Sequence, residues 1–344
     1  MCEDCRDRRA EAEDYDSGES YGPGPQSTRE RPPSAEADFL PLLNLLDRPG
    51  TKWSAEVEVV GLGVSRSASA IGCPTDSYGG SAEGNGSIIV TPDATVDAEI
   101  KLSRMTSGSR EDAYACRTAY EELRYAGAIA DYSCGHHVHI DACRMAEQGS
   151  DVTGAVIAAA AALGASCDAT LTALAAAGYR EHREGAGNTY GGDWYVGPYA
   201  MNDRYKLHAS RANYAISYGN PSNATVEYRL PNGTLYAERS HAHVALAAGL
   251  VDLASAAILD SCPTAAEAVA AAFTRLQGWV SPYSPGTDYL PPCYSEADGA
   301  AFLSRYLRLH VDSFKALALA AADSPASKQH KDVWAIAAAS RKVA

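Results

Sequence analysis

An α+β fold, with a sheet whose one face is apolar and lies under helices, is the class this sequence predicts. Three observations carry it. Short segments with a period of two recur along the chain, as half-buried strands require. In four of them the polar members fall on one face: Glu56/Glu58, Asp97/Glu99/Lys101, His137/His139/Asp141 and Glu227/Arg229. Alanine-rich stretches with helix caps separate or follow these strands.

The clearest segment is A-T-V-E-Y-R-L-P-N-G-T-L-Y-A-E, Ala224 to Glu238. Thr225, Glu227 and Arg229 alternate with Val226, Tyr228 and Leu230, which places Glu227 and Arg229 on one face about 7 Å apart. Pro231-Asn232-Gly233 then signals a turn. On one isolated strand such a pair reads as a surface ion pair of small worth. Its recurrence on three other strands is what makes a site.

In chain order, residues 1–38 are rich in Asp, Glu, Arg, Ser, Gly and Pro, too polar to offset ordering entropy. They read as a disordered acidic tail whose removal leaves the fold intact. F-L-P-L-L-N-L-L, Phe39 to Leu46, is a short apolar segment that docks on the domain. Trp53–Val60 is the first strand, and Gly61–Gly86 a long polar connection. A strand Ser87–Val90 leads through Thr91-Pro92-Asp93 to the strand Thr95–Leu102. Ser109, with Asp112 three residues on, opens a helix bearing Tyr114, Thr118, Glu121 and Arg124.

Ser133–Ala142 is the histidine strand, S-C-G-H-H-V-H-I-D-A, followed by an alanine-rich helix over about Val152–Ala177. Residues 180–203 form a Gly-, Tyr- and Asn-rich loop of the length that usually serves function or is disordered. Asp203–Ile216 carries Arg204, Lys206, His208 and Arg211. Helices are expected over Ser240–Leu259, from the capping box at Thr264 to Leu276, and over 297–322 and 329–341. A Pro- and Tyr-rich loop spans Ser281–Ser295. The resulting division is a tail to residue 38, one catalytic domain over 39–322 and a C-terminal helix over 323–344.

The chain has 344 residues and a formal net charge of −14, which disfavours nucleic acid or an anionic membrane surface as partner. No run reaches the ~18 apolar residues of a membrane span, and the charged start lacks an apolar signal region. The nine cysteines are scattered without a disulfide-rich spacing, and a cytoplasmic location with reduced thiols is expected. Cys2-x-x-Cys5 has no second close pair to complete a structural zinc site.

A sheet face dense in carboxylates and imidazoles needs a cation to neutralise it. Carboxylate clusters suit Mg²⁺ or Mn²⁺, which bridge to phosphates, and nearby arginines would clamp phosphoryl oxygens. There is no GxxxxGK[ST] loop, so the reading is phosphoryl chemistry on a nucleotide without a P-loop. A zinc or iron site for hydrolysis or oxygen chemistry, built on His137, His139 and a glutamate, stays open on the residues alone. Residue by residue, His136 points away from His137 and His139 and reads as solvated or capping. His241 and His243 read as ordinary residues flanking a helix start. Asp97 and Asp141 read as strand-end groups facing solvent, and Lys101 as an ion-pair partner of its carboxylate neighbours.

The elements W-S-A-E-V-E-V, D-A-T-V-D-A-E-I-K, C-G-H-H-V-H-I, R-Y-K-L-H-A and T-V-E-Y-R-L-P-N-G-T-L, in that order over about residues 52–260, resemble the amidoligase family. That family is related to glutamine synthetase and glutamate–cysteine ligase, the carboxylate–amine ligases. The resemblance implies a glutamine-synthetase-like antiparallel sheet with helices packed on one face. It also implies ATP, Mg²⁺ or Mn²⁺, and an acid activated as acyl phosphate for attack by an amine. By position, Glu56, Glu58, Glu99, His137 and Glu227 resemble the metal ligands, and His139 the histidine near the nucleotide. Arg229 resembles the arginine facing the transferred phosphoryl or the carboxylate, with Arg204 and Arg211 as further phosphate contacts. His208 stands where the family often has Asn, and the connection after the E-x-E strand is long; both bear on substrate choice. The expected partners are a small-molecule or peptide carboxylate and an amine. The rivals are a metal-dependent hydrolase and an inactive binding module of the same fold.

Overall fold

The computed structural model describes residues 30, 52–76, 87–131, 133–141, 168–177, 216–218, 225–255, 318, 319, 321, 322 and 338. In order they form β1 (Lys52–Val59), α1 (Val64–Ile71), β2 (Ser87–Thr91), β3 (Ala98–Thr106) and α2 (Arg110–Ala126). Then come β4 (His136–Asp141), α3 (Asp168–Ala175), β5 (Ile216–Tyr218), β6 (Thr225–Tyr228) and α4 (Ala237–Ser255). The strands make one sheet, ordered β2-β3-β1-β4-β6-β5, with every neighbouring pair antiparallel. This is the expected α+β architecture. The loops over 180–203 and 281–295, the segment bearing Arg204, His208 and Arg211, and Cys2 and Cys5 lie outside the described residues. So do most of the helices expected after residue 255.

The period-two pattern does what it should. On β1, Trp53, Ala55, Val57 and Val59 are buried in the core, joined by Ala98, Ile100 and Leu102 of β3 and Val138 and Ile140 of β4. α2 and α4 cover this face: Tyr120 of α2 and Ser240 of α4 meet hydroxyl to hydroxyl at 3.0 Å, and Ser240 lies 3.2 Å from His136 Nε2. α1 packs beside α2 and against β2 and β3. No described helix is long and apolar enough to cross a membrane.

Four local expectations need correction. Within the supposed polar connection, Val64–Ile71 is a helix, closed by Gly72 in the left-handed region at φ 67°. Strand β3 begins at Ala98 rather than Thr95, which leaves Asp97 just before it, and continues past Leu102 through a bulge. Arg104 there takes φ 48° and its N–H donates to Ser54 Oγ at 2.9 Å. The extra residue turns both Leu102 and Met105 inward, which strict alternation forbids. His136 does lie opposite His137 and His139, but it is fully buried under α4, its ring 5.8 Å from that of His243. His241 and His243 sit within α4, not beside its start. Both are buried, and burial lowers their pKa values to about 4 and about 3.

Glu30 departs from the expectation of a disordered tail. Its carboxylate accepts from the Leu235 N–H at 3.1 Å and Arg239 Nη1 at 3.0 Å, and it is also bonded by the Thr234 hydroxyl. The pair closes the entry to α4, and Arg239 is itself 1% exposed. Burial raises the Glu30 pKa in spite of Arg239 and the hydrogen bonds.

Candidate active site

Antiparallel register sets the polar face out row by row. Lys101 of β3, Glu56 of β1 and His137 of β4 are direct cross-strand neighbours. One row along, Glu99 faces Glu58. One row the other way, His139 faces Ser54 on one side and Glu227 of β6 on the other. Directly paired side chains share a face, so four strands that are distant in sequence deliver one cluster.

The distances are short. Glu56 lies 3.3 Å from His137 Nδ1 and 3.7 Å from His139 Nε2. His137 also reaches Glu58 at 3.8 Å and Glu227 at 4.0 Å, and His139 reaches Glu227 at 3.9 Å. Arg229 is hydrogen-bonded to Glu227. The donor atoms of Glu56, Glu99 and His137, and separately of Glu56, His139 and Glu227, lie within 4.8 Å of one another. Two three-ligand groupings therefore share one glutamate.

Charge is unevenly held. Burial pushes the Glu56 carboxyl up, but hydrogen bonds with His137 and His139 outweigh it and hold the group well below the usual range. Glu99 goes the other way, to about 7, through burial and then repulsion from Glu56, partly offset by Lys101. Burial works against the Arg229 charge, yet Glu227 foremost, then Glu56 and Glu58, raises its pKa. Arg229 is 7% exposed, and its Nε has no hydrogen-bond partner among the described residues. A buried donor left over beside a carboxylate cluster is what an anionic ligand would satisfy.

Two contributors escaped the sequence reading. The Gly135 N–H donates to Glu58 Oε2 at 2.6 Å and so orients that carboxylate. The Thr91 hydroxyl donates to Glu99 at 3.2 Å. Thr91 reads as a turn residue, although its parity with Glu99 in the β2–β3 register would have placed it. Asp97 is exposed and accepts from the Gly61 N–H at 2.6 Å, and Lys101 pairs with Glu99 and Glu56 as expected.

The Pro231-Asn232-Gly233 turn is stitched to the start of β4. His136 N–H donates to Pro231 O at 3.1 Å, and Gly233 N–H to Cys134 O at 2.6 Å. A Cβ on Gly233 would stand 2.7 Å from the Cys134 Cβ and 3.2 Å from its backbone. Gly233→Ala must therefore push the turn away from Cys134-Gly135. We expect a loss of about 1–3 kcal/mol in urea unfolding, with the Gly135–Glu58 bond displaced. An unchanged midpoint would show that the turn yields freely.

A family model described as "putative amidoligase enzyme" matches residues 76–251, just over half of the chain. The chain belongs to the amidoligase family. No curated protein matches it. The amidoligase match begins after Glu56 and Glu58, and what brings these two into the cluster is the position of β1 between β3 and β4.

Proposed function

We propose that this family member is an ATP-dependent carboxylate–amine ligase with a glutamine-synthetase-like site, forming an amide or peptide bond through an acyl phosphate. The observation that supports it best is the pair of ligand groupings sharing Glu56, with the unfilled Arg229 Nε beside Glu227. The carboxylate oxygens that make up most of the donor set suit Mg²⁺ or Mn²⁺. Glu56, Glu58, Glu99, His137 and Glu227 would hold the metal, which when bound neutralises charge on phosphoryl oxygens. Arg229 presents a planar fork to the transferring group or the substrate carboxylate. His139, which completes the second ligand grouping, adjoins the nucleotide, and Arg204 and Arg211 add phosphate contacts. The substrates are a small-molecule or peptide acid and an amine, and the cytoplasm would supply the nucleotide.

The test supplies hydroxylamine as surrogate amine with a panel of acids, ATP and Mg²⁺ or Mn²⁺. ADP formed together with hydroxamate is the expected result, because acyl-phosphate chemistry moves only the terminal phosphoryl group. AMP as product sinks the acyl-phosphate route. Metal-dependent turnover of esters or amides without nucleotide would promote a hydrolase using His137, His139 and a glutamate. Nucleotide and Mn²⁺ bound with no turnover would favour the inactive binding module.

A further inference from the structure

The two ligand groupings differ in what already neighbours them. Lys101 Nζ lies 3.1 Å from Glu99 and 3.8 Å from Glu56, so it touches both carboxylates of the Glu56–Glu99–His137 grouping. Arg229 touches one carboxylate of the other, Glu227, from two residues along the same chain segment. The Lys101 side chain is 19% exposed and the Arg229 side chain 9%. Lysine is a compact charge on a flexible four-carbon stem that can swing away, whereas the guanidinium is a rigid fork.

Charge balance points the same way. Four carboxylates, Glu56, Glu58, Glu99 and Glu227, stand against two side-chain cations, Lys101 and Arg229, in the described cluster. A second ion at the Lys101 position would meet an ammonium within contact distance, where like charges in a partly buried site repel strongly.

We propose that Lys101 is a resident cation in the Glu56–Glu99–His137 half of the site. The chain by itself then takes one divalent ion, in the Glu56–His139–Glu227 half, and a second only once Lys101 is removed or drawn off by an anionic ligand. This rests on the metal-dependent reading above. It makes Lys101 a positioning residue that sets the order in which the halves fill, and it ties the second ion to arrival of phosphate or carboxylate.

The experiment is calorimetric titration of Mn²⁺ into the metal-stripped full chain and into Lys101→Met, Lys101→Gln, Glu99→Gln and Glu227→Gln. Unfolding midpoints are measured alongside in chelator and in Mn²⁺. The parent should bind one ion, with affinity lowered about tenfold or more in Glu227→Gln and changed less than about threefold in Glu99→Gln. Both Lys101 variants should bind a second ion, or the first about tenfold more tightly. In chelator they should melt below the parent, and Mn²⁺ should raise their midpoints by more than it raises the parent's. Lys101→Gln keeps N–H donors on an uncharged side chain one atom shorter, so it carries the comparison if Lys101→Met does not fold without metal. Two ions of equal affinity in the parent would overturn the proposal while leaving the metal site standing. So would Lys101 variants that titrate like the parent, or loss of the single ion in Glu99→Gln. No Mn²⁺ bound by the parent or by either Lys101 variant would overturn the metal reading and this proposal together.

Discussion

Arg239→Met should destabilise the fold by about 3–5 kcal/mol at neutral pH, the usual consequence of leaving a buried charge without its partner. Glu30 loses its guanidinium but stays among Thr234, Leu235 and the entry to α4. Methionine keeps most of the bulk, so the loss reports charge and hydrogen bonding rather than a cavity. The pH dependence has a definite sign. Burial already raises the folded Glu30 pKa above its ordinary value, and removing Arg239 raises it further. A raised carboxyl contributes stability at low pH that is lost as pH rises through the folded pKa. The gap between parent and variant should therefore be widest at neutral pH and narrow as the solution is acidified. Deleting residues 1–38 removes Glu30 and strands Arg239, so it should cost a comparable amount, against the expectation from composition. A Glu30→Leu/Arg239→Met double variant should recover much of the loss, because apolar replacements of a buried pair are often tolerated. Urea unfolding at several pH values reads all of this. A single-variant loss under about 1 kcal/mol would show a pair of surface strength.

Arg229→Lys should lower turnover in the hydroxamate assay by about 10²–10³-fold, the range for removing one well-placed donor to a developing charge. ATP affinity should fall by less than about tenfold, since the positive charge is kept. The fork of Arg229 reaches Glu227 through Nη1 and leaves Nε without a partner among the described residues, so one guanidinium can hold the carboxylate and face a phosphoryl oxygen together. An ammonium has no fixed second arm. A raised KM with unchanged kcat would assign Arg229 to ground-state binding alone. The unfolding midpoint of the variant separates a catalytic loss from a folding loss.

The strands and their two faces were legible in the sequence, and so was the candidate site in outline. The physical reason is parity. A strand with one face in a core must alternate, so Glu56 and Glu58, His137 and His139, and Glu227 and Arg229 each had to share a side. The cap of α2 was legible for a similarly local reason: Ser109 Oγ accepts from the Asp112 N–H at 3.1 Å, as the spacing required. The reciprocal bond goes instead from the Thr106 N–H to Asp112, at 2.7 Å.

What only the tertiary structure decided involves partners far apart along the chain. Parity put His136 opposite the site, but only α4 packing there makes it a buried residue rather than a solvated one. The bulge at Arg104 breaks the alternation that defines a strand, so β3 seemed to stop at Leu102. Helix α1 is short and serine-rich, and its burial of Ser67 and Ala68 comes from packing, not propensity. Glu30 lies 209 positions from Arg239, and no local pattern pairs them. Strand order works in the same way. Glu56 joins both ligand groupings because β1 lies between β3 and β4. Side-chain parity is a property of each strand taken alone, whereas which strands become neighbours is set by packing across the whole domain.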